Sequence, residues 1–182
     1  MPRGGKRWRR IVVAGALAAL AWSAAYAKDF PTSVGEAEQY IAKGDLKAAE
    51  IELRDAVRDA PRDPVLRARL AEVYLQEGDL QSAEREARAA RERNGNEADY
   101  LPVLAGSLLR QEKFTDLVNL VQPGDRDPVL ESKIRTALGV ATAGLHDQAK
   151  AETLLSEAIS LDPKAAAAQD PARAVVDQNQ TC

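Results

Sequence analysis

Apolar side chains recur along the chain at helical spacing, in short segments that come in pairs. Between Pro64 and Gln76, Leu66, Leu70 and Tyr74 stand at i, i+4 and i+8 and so share one helical face. Asp63 can accept the free backbone N–H groups of the first turn, and Pro64 occupies a position where a missing N–H does no harm. Gly78 fits the left-handed residue that closes a helix, and Asp79 suits the cap of the next one. That next helix carries Ala83, Ala87 and Ala90 on its packing face, small enough for two helices to approach closely. Glu50 with Arg54, and Glu84 with Arg88, are favourable i, i+4 pairs worth a few tenths of a kcal/mol.

The pairing repeats with one period. Gly44-Asp45 recurs 34 residues on as Gly78-Asp79, then as Glu112-Lys113, then as His146-Asp147, with no insertion between them. Four units follow: 30–63, 64–97, 98–131 and 132–165, an array over 28–165. Asp127-Pro128 repeats the Asp-Pro start and predicts a helix to about Ala143, in which Gly139 lets a partner helix pass close by. A second helix is predicted over Gln148–Leu161, with Ala151, Leu155 and Ala158 inward. The third unit is the least regular. Leu101, Leu104, Leu108 and Leu109 mark its first helix, Phe114–Val121 is a shorter second one, and Gly124 with the charges around it predicts a solvent-facing turn.

A 34-residue helix–turn–helix period resembles the tetratricopeptide repeat (TPR), and the likeness rests on identifiable positions. An aromatic near the end of the first helix is Tyr40 and Tyr74; the mid-helix large–small pair is Leu70-Ala71, Leu104-Ala105 and Leu138-Gly139. The small residues of the second helix are Ala49, Ala83 and Ala151, then Ala56, Ala90 and Ala158; the helix-ending prolines are Pro61 and Pro163. Glu36 replaces a large residue in the first unit, Leu117 an alanine in the third, and the family's early Trp is absent. The resemblance implies an all-α fold, a TPR-like α–α superhelix (solenoid) of about four units. It also implies a concave groove lined by first helices. Glu38, Glu72, Gln76, Asp99, Arg110 and Lys133 would approach that groove. The repeated Lys, Asn and Arg set by which some relatives clamp a C-terminal carboxylate is missing.

Composition narrows the chemistry. Residues 1–27 hold five basic side chains and no acidic one, then an apolar run from Ile11 to Trp22 and the small-x-small ending Ala25-Tyr26-Ala27. That order is a signal peptide cleaved after Ala27. Its 17-residue uncharged run is short of the roughly 20 residues that cross a bilayer. The remaining chain has 20 basic and 28 acidic side chains, a net of −8, which is a poor match for nucleic acid. One Cys (Cys182) rules out an internal disulfide and a Cys-based zinc site, and one His (His146) leaves little material for a His-based metal centre or a conventional triad. The carboxylates Glu36, Glu38, Glu50, Glu52, Glu84, Glu86 and Asp116 follow the spacing of solvated helix faces, so no catalytic pair, metal or cofactor is expected.

A finer resemblance extends over about 30–168, through YIAKGDLKAAEIELRDAVRDAP, YLPVLAGSLLRQEKFTDLVNL and SKIRTALGVATAGLHDQAKAETLLSEAISLDP. These phrases are similar to the N-terminal part of the PrsT family, large TPR proteins of bacterial PEP-CTERM and exosortase systems. The resemblance implies a non-catalytic periplasmic or secreted scaffold of a Gram-negative bacterium. It would bind a protein or peptide of the polysaccharide-export or sorting machinery, in exopolysaccharide production and surface-protein sorting. Alternatives are an exopolysaccharide-binding export accessory and a generic small secreted TPR adaptor. Family members are often lipoproteins, but Lys28 stands where a lipid anchor needs Cys. A fifth unit's first helix would begin near Ala166, but Pro171 falls within its first two turns, so residues 166–182 are expected to be an irregular tail, either a natural one or, as the favoured reading, the truncated or frameshifted end of a longer solenoid.

Overall fold

A computed structural model describes residues 30–164. The signal peptide expected over 1–27, the tail over 166–182 and Cys182 lie outside the described residues. Among the described residues the chain is all helical: α1 (Phe30–Ala42), α2 (Leu46–Asp59), α3 (Pro64–Glu77), α4 (Leu80–Glu92), α5 (Glu97–Arg110), α6 (Phe114–Leu120), α7 (Pro128–Gly144) and α8 (Gln148–Leu161). These are helix–turn–helix pairs in the register that the period predicts, with no strand among them. None of these helices is long and apolar enough to cross a membrane.

The chain divides into two compact bodies after Ala56, within α2. In the first, Ala37, Ala49, Leu53 and Ala56 are buried and Tyr40 is half-buried. In the second, α3 packs on α4 and α7 on α8, while the first helices α3, α5 and α7 lie side by side. Its core is Leu66, Leu70, Val73, Tyr74, Leu104, Leu108, Leu117, Ile134 and Leu138, with Ala83, Ala87, Ala90, Ala151 and Ala158 where helices approach. Gly139 is buried, and a Cβ there would stand 2.8 Å from Leu155 Cγ, the close passage that its position predicts.

The turn inside each pair is built the same way. Gly44, Gly78, Glu112 and His146, one period apart, all have positive φ, at 77°, 86°, 57° and 67°. Asp45 N–H donates to Tyr40 O at 2.9 Å, Lys113 N–H to Leu108 O at 2.9 Å, and Asp147 N–H to Thr142 O at 3.1 Å. These are bonds of the motif that ends a helix by a left-handed residue. Asp45, Asp79 and Asp147 then cap the following helix through their side chains. Asp63 and Asp127 do the same ahead of Pro64 and Pro128. Lys113 makes no such cap, and α6 behind it has 7 residues where the other second helices have 13 or 14.

Two expectations need correction. Leu154, not Leu155, is the buried leucine of α8, because Ala151, Leu154 and Ala158 form the inward stripe; Leu155 is half-buried. The turn around Gly124 is exposed, as expected, and is also pinned by bonds. Gly124 N–H donates to Glu131 Oε1 at 2.9 Å, and Arg126 bonds Glu97, Glu131 and the Gln122 carbonyl. The carboxylates are not all solvated: the Glu86 and Glu84 side chains are 11% and 12% exposed and are held by cations.

Candidate interaction surface

The solvent side of the first helices forms one surface because these helices lie in a row. On α3 the stripe is Val65, Arg69, Glu72 and Gln76; on α5 it is Asp99, Pro102, Gly106 and Arg110; on α7 it is Lys133, Thr136, Val140 and Gly144. Val65 and Val140 are 46% and 47% exposed, so apolar surface alternates with charge along it. A Cβ on Gly106 would meet Leu75 Cδ2 at 3.4 Å, so α5's backbone runs close to α3 there.

The expected groove residues take different situations. Gln76, Asp99 and Lys133 are exposed on this surface. Glu72 is half-buried and accepts a bond from Arg69 at 3.2 Å. Arg110 is exposed, but its Nη1 donates to Leu75 O at 2.7 Å, so it closes the C-terminal turn of α3 as well as facing solvent. Glu38 is exposed on α1, in the other compact body.

The second helices carry ion networks that local spacing does not announce. Glu86 accepts from Arg67 at 2.6 Å, and Arg67 and Arg93 together place three donors on the Pro61 carbonyl. Glu84 accepts from Arg88, Gln111 and Lys113, tying α4 to the end of α5 and its turn. Burial pushes the Glu84 carboxyl up, but the bonds from Lys113, Arg88 and Gln111 outweigh it and hold it below its ordinary value. In the first body the bond from Lys47 lowers Glu50, burial opposes it, and Arg54 adds to the lowering. Glu131 is 2% exposed and gathers Gly124 N–H, Arg126 and Arg135; Arg135 also pairs with Glu157. Where the family's early Trp would stand, Arg67 and Arg135 instead link first helix to second.

The described residues hold no group of three or more His, Cys, Asp or Glu side chains that could hold a metal ion. His146 is an exposed turn residue, with Asp147 engaged as cap. A shallow groove lined by Arg135, Ser156, Glu157, Ser160 and Leu161 has its guanidinium committed to Glu131 and Glu157.

A family model described as tetratricopeptide repeat matches residues 37–106. None of the curated proteins matches the chain. Among solved structures, MamA residues 41 to the end from Desulfovibrio magneticus RS-1 aligns with TM-score 0.64 at 15% identity, covering 75% of this chain and 77% of that one. The MamA RS-1 ArsTM double mutant aligns with TM-score 0.64 at 18% identity, covering 75% and 76%. The globular C-terminal domain of P. aeruginosa LpoP is 24% identical over 72% of this chain and 95% of that one, with a TM-score of 0.34 that bears no weight. The chain thus has a TPR-like all-α repeat fold, like that of MamA.

Proposed function

We propose that the protein is a non-catalytic scaffold that binds an extended protein or peptide segment along the solvent side of α3, α5 and α7. The observation that carries this reading is the continuous stripe of exposed Val65, Asp99, Lys133 and Val140, set on helices whose other faces are locked in the core. Apolar patches flanked by charge are the composition of peptide-binding surfaces. Asp99 on α5 and Lys133 on α7, both exposed, offer the partner one acidic and one basic contact.

The resemblance to the PrsT family carries the finer reading. The scaffold works in the periplasm of a Gram-negative bacterium, in exopolysaccharide production and surface-protein sorting, and its partner belongs to the export or sorting machinery. Direct polymer binding is the weaker reading, because sugar platforms need exposed rings while Tyr74 and Tyr100 are 8% and 5% exposed.

Site-specific photo-crosslinking tests the surface. A crosslinker at Asp99 or Lys133 should give one discrete adduct in the producing cell, and a crosslinker at Arg85 on the opposite side should give none. Adducts of equal yield from all three positions would remove the surface. Deleting the gene should reduce surface polymer and sorted proteins together; unchanged levels of both would leave the scaffold without the pathway.

A further inference from the structure

We propose that residues 165–181 of the chain itself dock on the open sides of α7 and α8, in the place that the first helix of a fifth pair would take. The proposal is independent of what the first-helix surface binds.

The entry into this segment is visible. Pro163 and Lys164 are again helical, directly after Asp162, the C-cap of α8. Asp162-Pro163 repeats the Asp-Pro start of α3 and α7. The face ahead of it lacks the cover that its counterpart has. On α4, packed by α5, Ala87 is fully buried, whereas Leu155, two periods on in α8, is half-buried.

Contacts of the earlier units show which positions of a first helix meet the preceding unit. Gly106 approaches Leu75 Cδ2, Arg110 donates to Leu75 O at 2.7 Å, and Gln111 donates to Leu80 O at 3.1 Å and to Glu84 at 3.0 Å. Two periods on, these positions hold Ala174, Gln178 and Asn179, and Val175 stands where α5 buries Ser107 completely. A small residue, an apolar one and two amide donors thus fall where contact with α7 and α8 is made. Other positions meet the helix's own partner: Arg67 bonds Glu86, Arg135 bonds Glu157, and Gly139 lies against Leu155 and Ala151 O. There the segment carries Gln169 and Arg173. Polar residues at those two positions suit a helix without a second helix of its own, the outer face of a capping element.

Size and charge agree with this register. Ala87 and Leu104 are both fully buried in the α4–α5 pair; their counterparts are Leu155 and Ala172, a small–large pair with its members exchanged. Glu152, at the Glu84 position, faces Asn179 and Thr181, at the Gln111 and Lys113 positions. Neither is a carboxylate. Asp170 and Asp177 stand at the places of Pro102 and Leu109, both partly exposed in α5. Pro171 removes one helical hydrogen bond, as Pro102 does inside α5.

Cysteine pairing in the full chain carrying Cys182→Ser tests the register. Ala143→Cys with Ala174→Cys copies the Leu75–Gly106 contact and should close a disulfide within one chain under mild oxidation. Ala143→Cys with Arg173→Cys, one residue away and about 100° around a helix, should close several-fold less. Equal yields would overturn the proposal, and disulfides formed between chains would give the face to a second copy instead. Amide hydrogen exchange of the unaltered chain is the second readout. Amides 174–179 should exchange much more slowly than in a free peptide of residues 165–182, and equal rates would overturn the docking. Should the cysteine variants lose helicity by circular dichroism, the exchange rates decide alone.

Discussion

The four in-register turn residues allow a sharp prediction about stability. Glu112 and His146 occupy left-handed backbone at φ 57° and 67°, where the first two units place Gly44 and Gly78. A residue with a Cβ in that region costs about 1–2 kcal/mol. Replacing it with glycine removes that cost but adds about 0.5–1 kcal/mol through the looser unfolded chain. Glu112→Gly and His146→Gly should each stabilise by about 0.5–1 kcal/mol, and they stand a full unit apart, so the effects should add. The reverse change isolates the same term. A Cβ at Gly44 meets nothing within 4 Å, and at Gly78 it meets Arg110 Nη2 at 3.7 Å. Gly44→Ala and Gly78→Ala are therefore conformational penalties without a clash, each of about 0.5–1 kcal/mol. Urea unfolding followed by helical circular dichroism measures both directions. If the glycine variants lower the midpoint while the alanine variants leave it unchanged, the turn argument is wrong.

Three further outcomes follow from the packing. Gly144→Ala would place a Cβ 2.5 Å from Phe114 Cε2, so it should lower stability by about 1–3 kcal/mol in thermal melts, and much less in a Phe114→Ala background. Glu131→Ala leaves Arg126, Arg135 and Gly124 N–H without their shared acceptor and should cost about 3 kcal/mol in urea unfolding, whereas Glu72→Ala, which breaks the more exposed pair with Arg69, should cost less than about 1 kcal/mol. Glu50 and Glu84 lie below the ordinary 4.5 when folded. The stability they add is therefore fully present above that value and is lost as pH falls through the folded values. Acid titration of Glu84→Gln should show a shallower loss below about pH 4.5 than the parent; an equal slope would contradict the assigned bonds.

Most of the helical framework was legible because its signals are local. Asp63-Pro64, Asp127-Pro128 and the Gly-Asp turns fix helix ends through backbone bonds within a few residues, and the period then copies them. Burial on α8 was read one residue off because Leu154 and Leu155 are both apolar, and 100° of rotation separates them on a helix. The buried glutamates escaped because their partners are distant. Glu86 meets Arg67 across 19 residues, and Glu84 meets Lys113 across 29, so each looks like a solvated face when read with its neighbours alone. Arg110 shows the same limit on the proposed interaction surface. Its spacing along α5 puts it toward solvent, but its bond to Leu75 O, 35 residues away, gives it a structural role as well. A charge reversal at Arg110 would therefore disturb α3 along with any partner, so Asp99 and Lys133 are the cleaner probes.

The third unit shows how the period survives where its local rules fail. Glu112 and Lys113 replace the glycine and the aspartate cap, and Leu117 replaces the small residue of the second helix. The helix that results, α6, has 7 residues, too few to be stable on its own. The chain then runs through residues 122–126 outside any helix, and ionic bonds take over: Arg126 spans Glu97 and Glu131, and Glu131 holds Gly124 N–H. These bonds return the chain to Asp127, where the next helix starts in register. They fix the path of the loop but add little protection to α6 itself, whose burial rests on Leu117, with Val121 just beyond its end. In an array where each unit leans on its neighbours, the least protected element opens first. Amide hydrogen exchange should be fastest in α6 and slowest in α5, which is covered by α3, α4 and α7. Were α6 to exchange as slowly as α5, the second body would unfold as one block, and the loop bonds would have to be counted as part of its core.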